Sequence, residues 1–115
     1  MTAEAPSKII IKGMEEKKAS NIIVLDLRNI KNSVTDFFVL CSGNSDTQLE
    51  EISDSIEEAV FKVGEKGPWQ REGKNSGQWI LMDYVNVVAH IFLKEKRDYF
   101  GLEDLWGDAK ITKIN

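Results

Sequence analysis

The chain carries one cysteine, Cys41, so it cannot close a disulfide on itself and cannot build a cysteine-rich metal centre. One histidine, His90, leaves few nitrogen ligands for zinc. Neither a cofactor nor a metal is expected, and a reducing compartment is compatible with this usage. No apolar run approaches the roughly 20 residues that span a bilayer, so no membrane segment is expected. The first residues include an acid, Glu4, and lack an apolar stretch ending in a small-residue cleavage site. A signal or transit peptide is therefore not expected. Cationic excess is also missing: 15 Lys and Arg stand against 19 Asp and Glu, a net charge of −4. Proteins that grip phosphates show a basic patch or balance. Little direct nucleic-acid binding is expected, and a basic protein partner suits this charge better.

Catalytic signatures are sparse as well. No Ser/His/Asp set stands out. His90 lies within Val87-Val88-Ala89-His90-Ile91-Phe92 and reads as a structural strand histidine on the face of Val88 and Phe92. Cys41 closes an apolar run and reads as a small core residue. Ser42-Gly43-Asn44-Ser45 sits between a strand and a helix start, a place suited to anions. It lacks both the Walker lysine pattern and a dinucleotide fingerprint, and turn and capping chemistry accounts for it. The acids from 50 to 58 lie along a helix and read as solvated; Asp36 and Asp83 are single acids at strand ends. Two-metal phosphoryl chemistry would need carboxylates converging on one point.

What the chain does have is enough apolar residue, 42%, to close one core. The length fits one domain. The domain is expected to run from 7 to 109, with a flexible N-terminus at 1–6 and a tail at 110–115. Ser7 is read as the N-cap of a first helix over 8–19. Ile22 to Leu25 with Leu27, and Phe37 to Cys41, read as buried strands. Ser45 to Gln48 forms a capping box. Leu49, Ile52, Ile56, Val60 and Val63 then recur every three to four residues, which predicts a helix ending at Gly64. Trp69 to Glu72, 78–84 and 87–93 read as strands. The segment 73–77 reads as a flexible connection, and Val85-Asn86 as a tight hairpin turn in which the β-branched Val85 suits a left-handed backbone poorly. Asp98 to Trp106 reads as one or two helical turns. The order helix, strand, strand, helix, three strands predicts an α/β (α+β) domain with a mixed sheet flanked by helices. Trp79, Leu81 and Asp83 fall on one face of their strand, and Ile80, Met82 and Tyr84 on the other. Trp, Tyr and Arg dominate interface hot spots, so an uncovered face here would be available to a partner.

Three blocks carry a resemblance: Thr35-Asp36-Phe37-Phe38-Val39-Leu40-Cys41-Ser42-Gly43-Asn44-Ser45; Gly77-Gln78-Trp79-Ile80-Leu81-Met82-Asp83-Tyr84 with Val87 to Phe92; and Arg97-Asp98-Tyr99-Phe100-Gly101-Leu102-Glu103-Asp104-Leu105-Trp106-Gly107-Asp108-Ala109. In this order they look like the ribosomal silencing factor family (RsfS, or Iojap), over about Ser7 to Ala109. The resemblance implies a roughly five-stranded mixed sheet, similar to nucleotidyltransferase domains without their catalytic carboxylates. It implies a cytoplasmic protein that is not an enzyme. Such a protein binds the large ribosomal subunit, chiefly its fourteenth ribosomal protein, blocks small-subunit joining and represses translation when nutrients are scarce; relatives in organelles assist large-subunit assembly. On this reading Trp79, Leu81, Met82, Asp83, Tyr84 and Trp106 form the partner contact, and Asp83, Glu103 and Asp104 meet basic groups. The chain departs from the family pattern at Val85-Asn86, where many relatives carry Gly-Asp, and at Ala89, where they carry a larger aliphatic. The rival expectation is a nucleotide-binding, nucleotidyltransferase-like enzyme using Gly43 to Ser45. Whether the chain forms a homodimer stays open.

Overall fold

A computed structural model describes residues 4–31, 33, 35–64, 70–74 and 77–114. The elements run α1 (Glu4–Glu16), β1 (Ser20–Asp26), β2 (Phe37–Gly43), α2 (Asp46–Lys62), β3 (Gln70–Lys74), β4 (Trp79–Asp83) and β5 (Val87–Leu93). A 3-10 turn (Lys94–Lys96), α3 (Arg97–Phe100), α4 (Leu102–Leu105) and β6 (Lys110–Lys113) complete the chain. The strands form one mixed sheet in the order β3-β4-β5-β2-β1-β6. The central pair, β2 and β5, is parallel and in register from Phe37 and Val87 to Gly43 and Leu93; every other neighbour is antiparallel. All of β2 is buried, as is β5 up to Phe92. Continuous burial is what a parallel pair covered on both faces requires, and both strands read as uninterrupted apolar runs.

Helix α2 forms as its sequence dictates. Ser45 is extended and its Oγ accepts the Gln48 N–H at 3.1 Å. The Gln48 side chain also reaches back, but one residue further than a standard capping box, to the Asn44 N–H at 2.6 Å. Leu49, Ile52, Ile56 and Val60 then face the sheet, buried. Each such side chain contributes about 1.5–3 kcal/mol relative to exposure. Helix α1 lies beside α2 at a close approach set by Gly13, where an added Cβ would stand 2.8 Å from the Ile56 Cα. The buried Ser55 hydroxyl donates to the Gly13 carbonyl at 2.8 Å across the same seam. Three of the helix-side acids predicted to be merely solvated, Glu50, Asp54 and Glu57, converge on Arg71 of β3 at 2.9–3.0 Å. One guanidinium thus ties the edge strand to α2.

Several boundaries move. α1 begins at Glu4, so Ser7 is a buried residue inside the helix and not its cap. The positive φ of Lys18 (58°) prevents the helix from reaching Ala19. The expected N-terminal boundary at 6/7 therefore cuts a helix. The tail expected at 110–115 contains β6, which pairs antiparallel with β1 and makes the sheet six-stranded rather than five. All four β6 side chains are exposed, so no burial pattern marks the strand in the sequence. Gly73 and Lys74, read as a connection, belong to β3. Trp69 and the Gly67-Pro68 turn lie outside the described residues.

The β4–β5 hairpin is tight, as expected. Val85 takes φ 74°, and the Asn86 N–H donates to the Tyr84 carbonyl at 2.9 Å, the bond that closes a three-residue γ-turn. A β-branched residue is an outlier there. It is held by the Asp83 carboxylate, which accepts the Val85 N–H at 2.7 Å, and by the Thr35 hydroxyl, which donates to the Val85 carbonyl at 3.0 Å. Replacing Val85 by glycine, which takes a positive φ at no steric cost, relieves this strain. We expect Val85→Gly to raise stability by about 1 kcal/mol, read as a higher urea midpoint at unchanged slope. Gly13→Ala should do the opposite: helix propensity favours alanine by about 1 kcal/mol, but the Ile56 backbone cannot yield, and a net loss of about 1–2 kcal/mol is expected in the same measurement.

Candidate functional site

The two faces of the sheet are covered unequally. α1 and α2 close one over the core of Ile10, Met14, Leu49, Ile52, Ile56 and Met82. The other is covered by short pieces: the turn after β1 with Leu27 and Ile30, the α3–α4 segment, and Ala109. Beneath them lie Leu25, Phe38, Leu40, Val88 and Phe92, with Trp79, Leu81, Phe100 and Trp106 only partly buried.

The uncovered part is aromatic. The Trp79 ring packs against Phe92 at 5.1 Å and Phe100 at 5.2 Å between centroids. Its indole N–H donates to His90 Nδ1 at 3.1 Å. An accepting Nδ1 carries no proton, so this bond fixes both the indole plane and the imidazole tautomer. His90 is 3% exposed and meets Phe38 edge-on at 4.6 Å. Trp106 meets the same Phe38 edge-on at 5.6 Å. Such pairs contribute about 0.5–1.5 kcal/mol beyond area burial. At the margin Tyr99 and Leu105 stand 80% and 74% exposed, large for side chains of this size. Neither they nor Phe100 are among the contact residues expected from the sequence, because four-residue helices give no periodicity that assigns a face.

The predicted contact residues therefore divide. Trp79, Leu81 and Trp106 come together on this face, with Asp83 at the end of the same strand row. Met82 is 0% exposed in the helix-side core, so the expectation of a partner contact there is withdrawn. Tyr84 also packs on the helix side. Its hydroxyl is buried without a hydrogen bond among the described residues, and burial, reinforced by Glu57, pushes the phenol above its ordinary range. It too lies on the wrong side for a contact shared with Trp79. Asp83 is engaged in holding Val85. Glu103 accepts from Arg97 at 2.7 Å, so its charge is already paired within the chain. Asp104 is exposed and carries no ion pair among the described residues.

The segment considered for nucleotide binding is occupied by its own chain. The Asn44 and Gln48 N–H groups are taken by Gln48 and Ser45, and the Thr47 N–H by Asp46 at 2.8 Å. A carboxylate at this helix start repels phosphate. Gly43 is small because Leu49 packs on it: an added Cβ would lie 2.7 Å from Leu49 Cδ1. Close strand–helix packing, and not phosphate approach, accounts for this glycine.

Comparison with known proteins gives one consistent result. A family model described as "Ribosomal silencing factor during starvation" matches residues 1–115. A relative from Bacillus subtilis, named ribosomal silencing factor RsfS, is 35% identical over 115 residues, covering all of this chain and 96% of that protein. A crystal structure of a protein from Chromobacterium violaceum superimposes with a TM-score of 0.85 at 30% identity, covering 100% of this chain and 94% of that one. More distantly, a mouse protein named mitochondrial assembly of ribosomal large subunit protein 1 is 26% identical over 100 residues, which span 85% of this chain and 43% of that protein.

Cys41 serves the core alone. Burial raises its thiol to about 12, so it stays protonated through the neutral range and is a poor nucleophile. A thiol reagent at pH 8 should label the folded protein at least about a hundredfold more slowly than the urea-unfolded chain. Equal rates would show that the β2 strand opens readily.

Proposed function

This chain belongs to the ribosomal silencing factor family, and on that premise we propose that it is a cytoplasmic, non-enzymatic regulator that docks on the large ribosomal subunit and keeps the small subunit from joining. The fourteenth large-subunit ribosomal protein is the proposed receptor. The observation that carries the contact is the half-covered aromatic face formed by Trp79, Leu81, Phe100 and Trp106, with Tyr99 and Leu105 projecting beside it. Rigid aromatic and aliphatic anchors flanked by polar residues are the composition of an interface centre. The neighbouring acids Asp98 and Asp104, in a chain of net charge −4, favour a basic partner over bare RNA. The mechanism asked of the protein is steric, so it needs affinity and position, not a reacting group. The name of the mouse relative, which refers to assembly of the large subunit, favours a second role in large-subunit maturation through the same contact.

The test is cosedimentation with purified large and small subunits, followed by a light-scattering assay of subunit joining. Tyr99→Ala and Leu105→Ala remove exposed groups and should leave circular dichroism unchanged while weakening large-subunit binding about tenfold each. Trp79→Ala should cost about 2 kcal/mol, or about 30-fold. If all three variants remain folded and bind at full strength, the contact lies elsewhere.

A further inference from the structure

We infer that Arg97 is a positioning residue for the aromatic face: one buried guanidinium latches the α3–α4 segment to the sheet and so holds Phe100 and Trp106 in place. This rests on the contact proposed above and adds the device that assembles it.

Two strands distant in sequence, and an acid six residues further along the chain, converge on this side chain. Its Nη1 donates to the Asn21 carbonyl at 2.6 Å and to the Ser42 hydroxyl at 2.9 Å, and its Nε donates to Glu103 at 2.7 Å. Arg97 is 8% exposed, so these bonds work in a medium of low dielectric, where charge-assisted bonds are strong and an unpaired charge is costly. The Asn21 carbonyl is available because β1 is irregular there: its register against β2 slips between Ser20 and Ile23, and Asn21 itself has φ 51°. A regular strand would point that carbonyl into the ladder. The bulge thus supplies the acceptor that the guanidinium uses.

Among the described residues the latched segment is otherwise held by Leu102 and by the ring contacts of Phe100 and Trp106. α3 and α4 are four residues each, joined at Gly101 with φ 62°, and too short to be stable alone. Their buried apolar side chain is Leu102. Phe100 lies just after Arg97 and covers Trp79; Glu103 and Trp106 lie on the far side of Gly101, where Trp106 covers Phe38. Fixing Arg97 and Glu103 to the same point sets both rings at once. Lysine cannot replace it, because one ammonium cannot present the Nε and Nη1 donors in a planar fork.

Hydrogen exchange on the full chain tests this, with Arg97→Met, Arg97→Lys and Glu103→Gln. Amides of 97–109 should exchange about tenfold or more faster in Arg97→Met and Arg97→Lys, and less so in Glu103→Gln, while β2 and β5 amides keep their protection. Large-subunit binding should fall in the same rank order. Unchanged exchange over 97–109, or acceleration spread equally over β2 and β5, overturns the latch. So does a loosened segment in a variant that binds as well as the parent. Should Arg97→Met not fold, Arg97→Lys and Glu103→Gln decide together, since each leaves the Asn21 and Ser42 acceptors intact. If the parent itself ignores large subunits, the proposed function fails, while the exchange result still judges the latch.

Discussion

The parallel pairing of β2 with β5 is the constraint from which the rest of the domain follows. Two parallel strands cannot be joined by a hairpin, so the chain must cross over between them; it does so through α2 and re-enters the sheet at its edge as β3 and β4 before reaching β5. Both strands are buried on both faces, so both faces need cover. α1 and α2 meet that need on one side with two long helices. On the other side the described residues supply a turn, two four-residue helices and an aromatic cluster. An incompletely closed sheet face is a geometric outcome of this division, and the residues that line it are those suited to a protein partner.

Long elements were legible in the sequence because their signals are local. α2 shows a capping pair and a 3.6-residue apolar period; β2 and β5 show runs of apolar residues bounded by polar ones. The rest depended on side chains far apart in sequence. Nothing near Arg71 indicates that Glu50, Asp54 and Glu57 surround it, and nothing near Arg97 indicates that Asn21 and Ser42 receive it. β6 carries no burial pattern at all. The start of α1 was missed because Pro6 and Ser7, which resemble a helix entry, sit within its first turns. The candidate face was half legible: alternation separated Trp79 and Leu81 from Met82 and Tyr84, but not which set met the helices. That choice belongs to the packing of α2, whose apolar stripe takes Ile80, Met82 and Tyr84.

The chemistry of the second face is one of fit. Trp79 is fixed by a hydrogen bond to His90 and by two rings, and Phe38 makes two T-shaped ring pairs. Anchors held in this way lose little freedom on binding, which favours affinity. The groups that could suggest chemistry are employed in packing: Cys41 lies in the core and His90 under Trp79, while Gly43 admits Leu49.

The sheet also has two open ends, and their composition bears on how the protein behaves when concentrated. An unpaired strand invites another chain to extend the ladder. Here one outer strand, β6, is four residues long and begins and ends in lysine, while the other, β3, carries Arg71 and Glu72 and is drawn down onto α2. Short length and charge at the rim discourage sheet-to-sheet growth. A chain that leaves an aromatic face half covered therefore places its repulsive groups along the borders where uncontrolled stacking would begin.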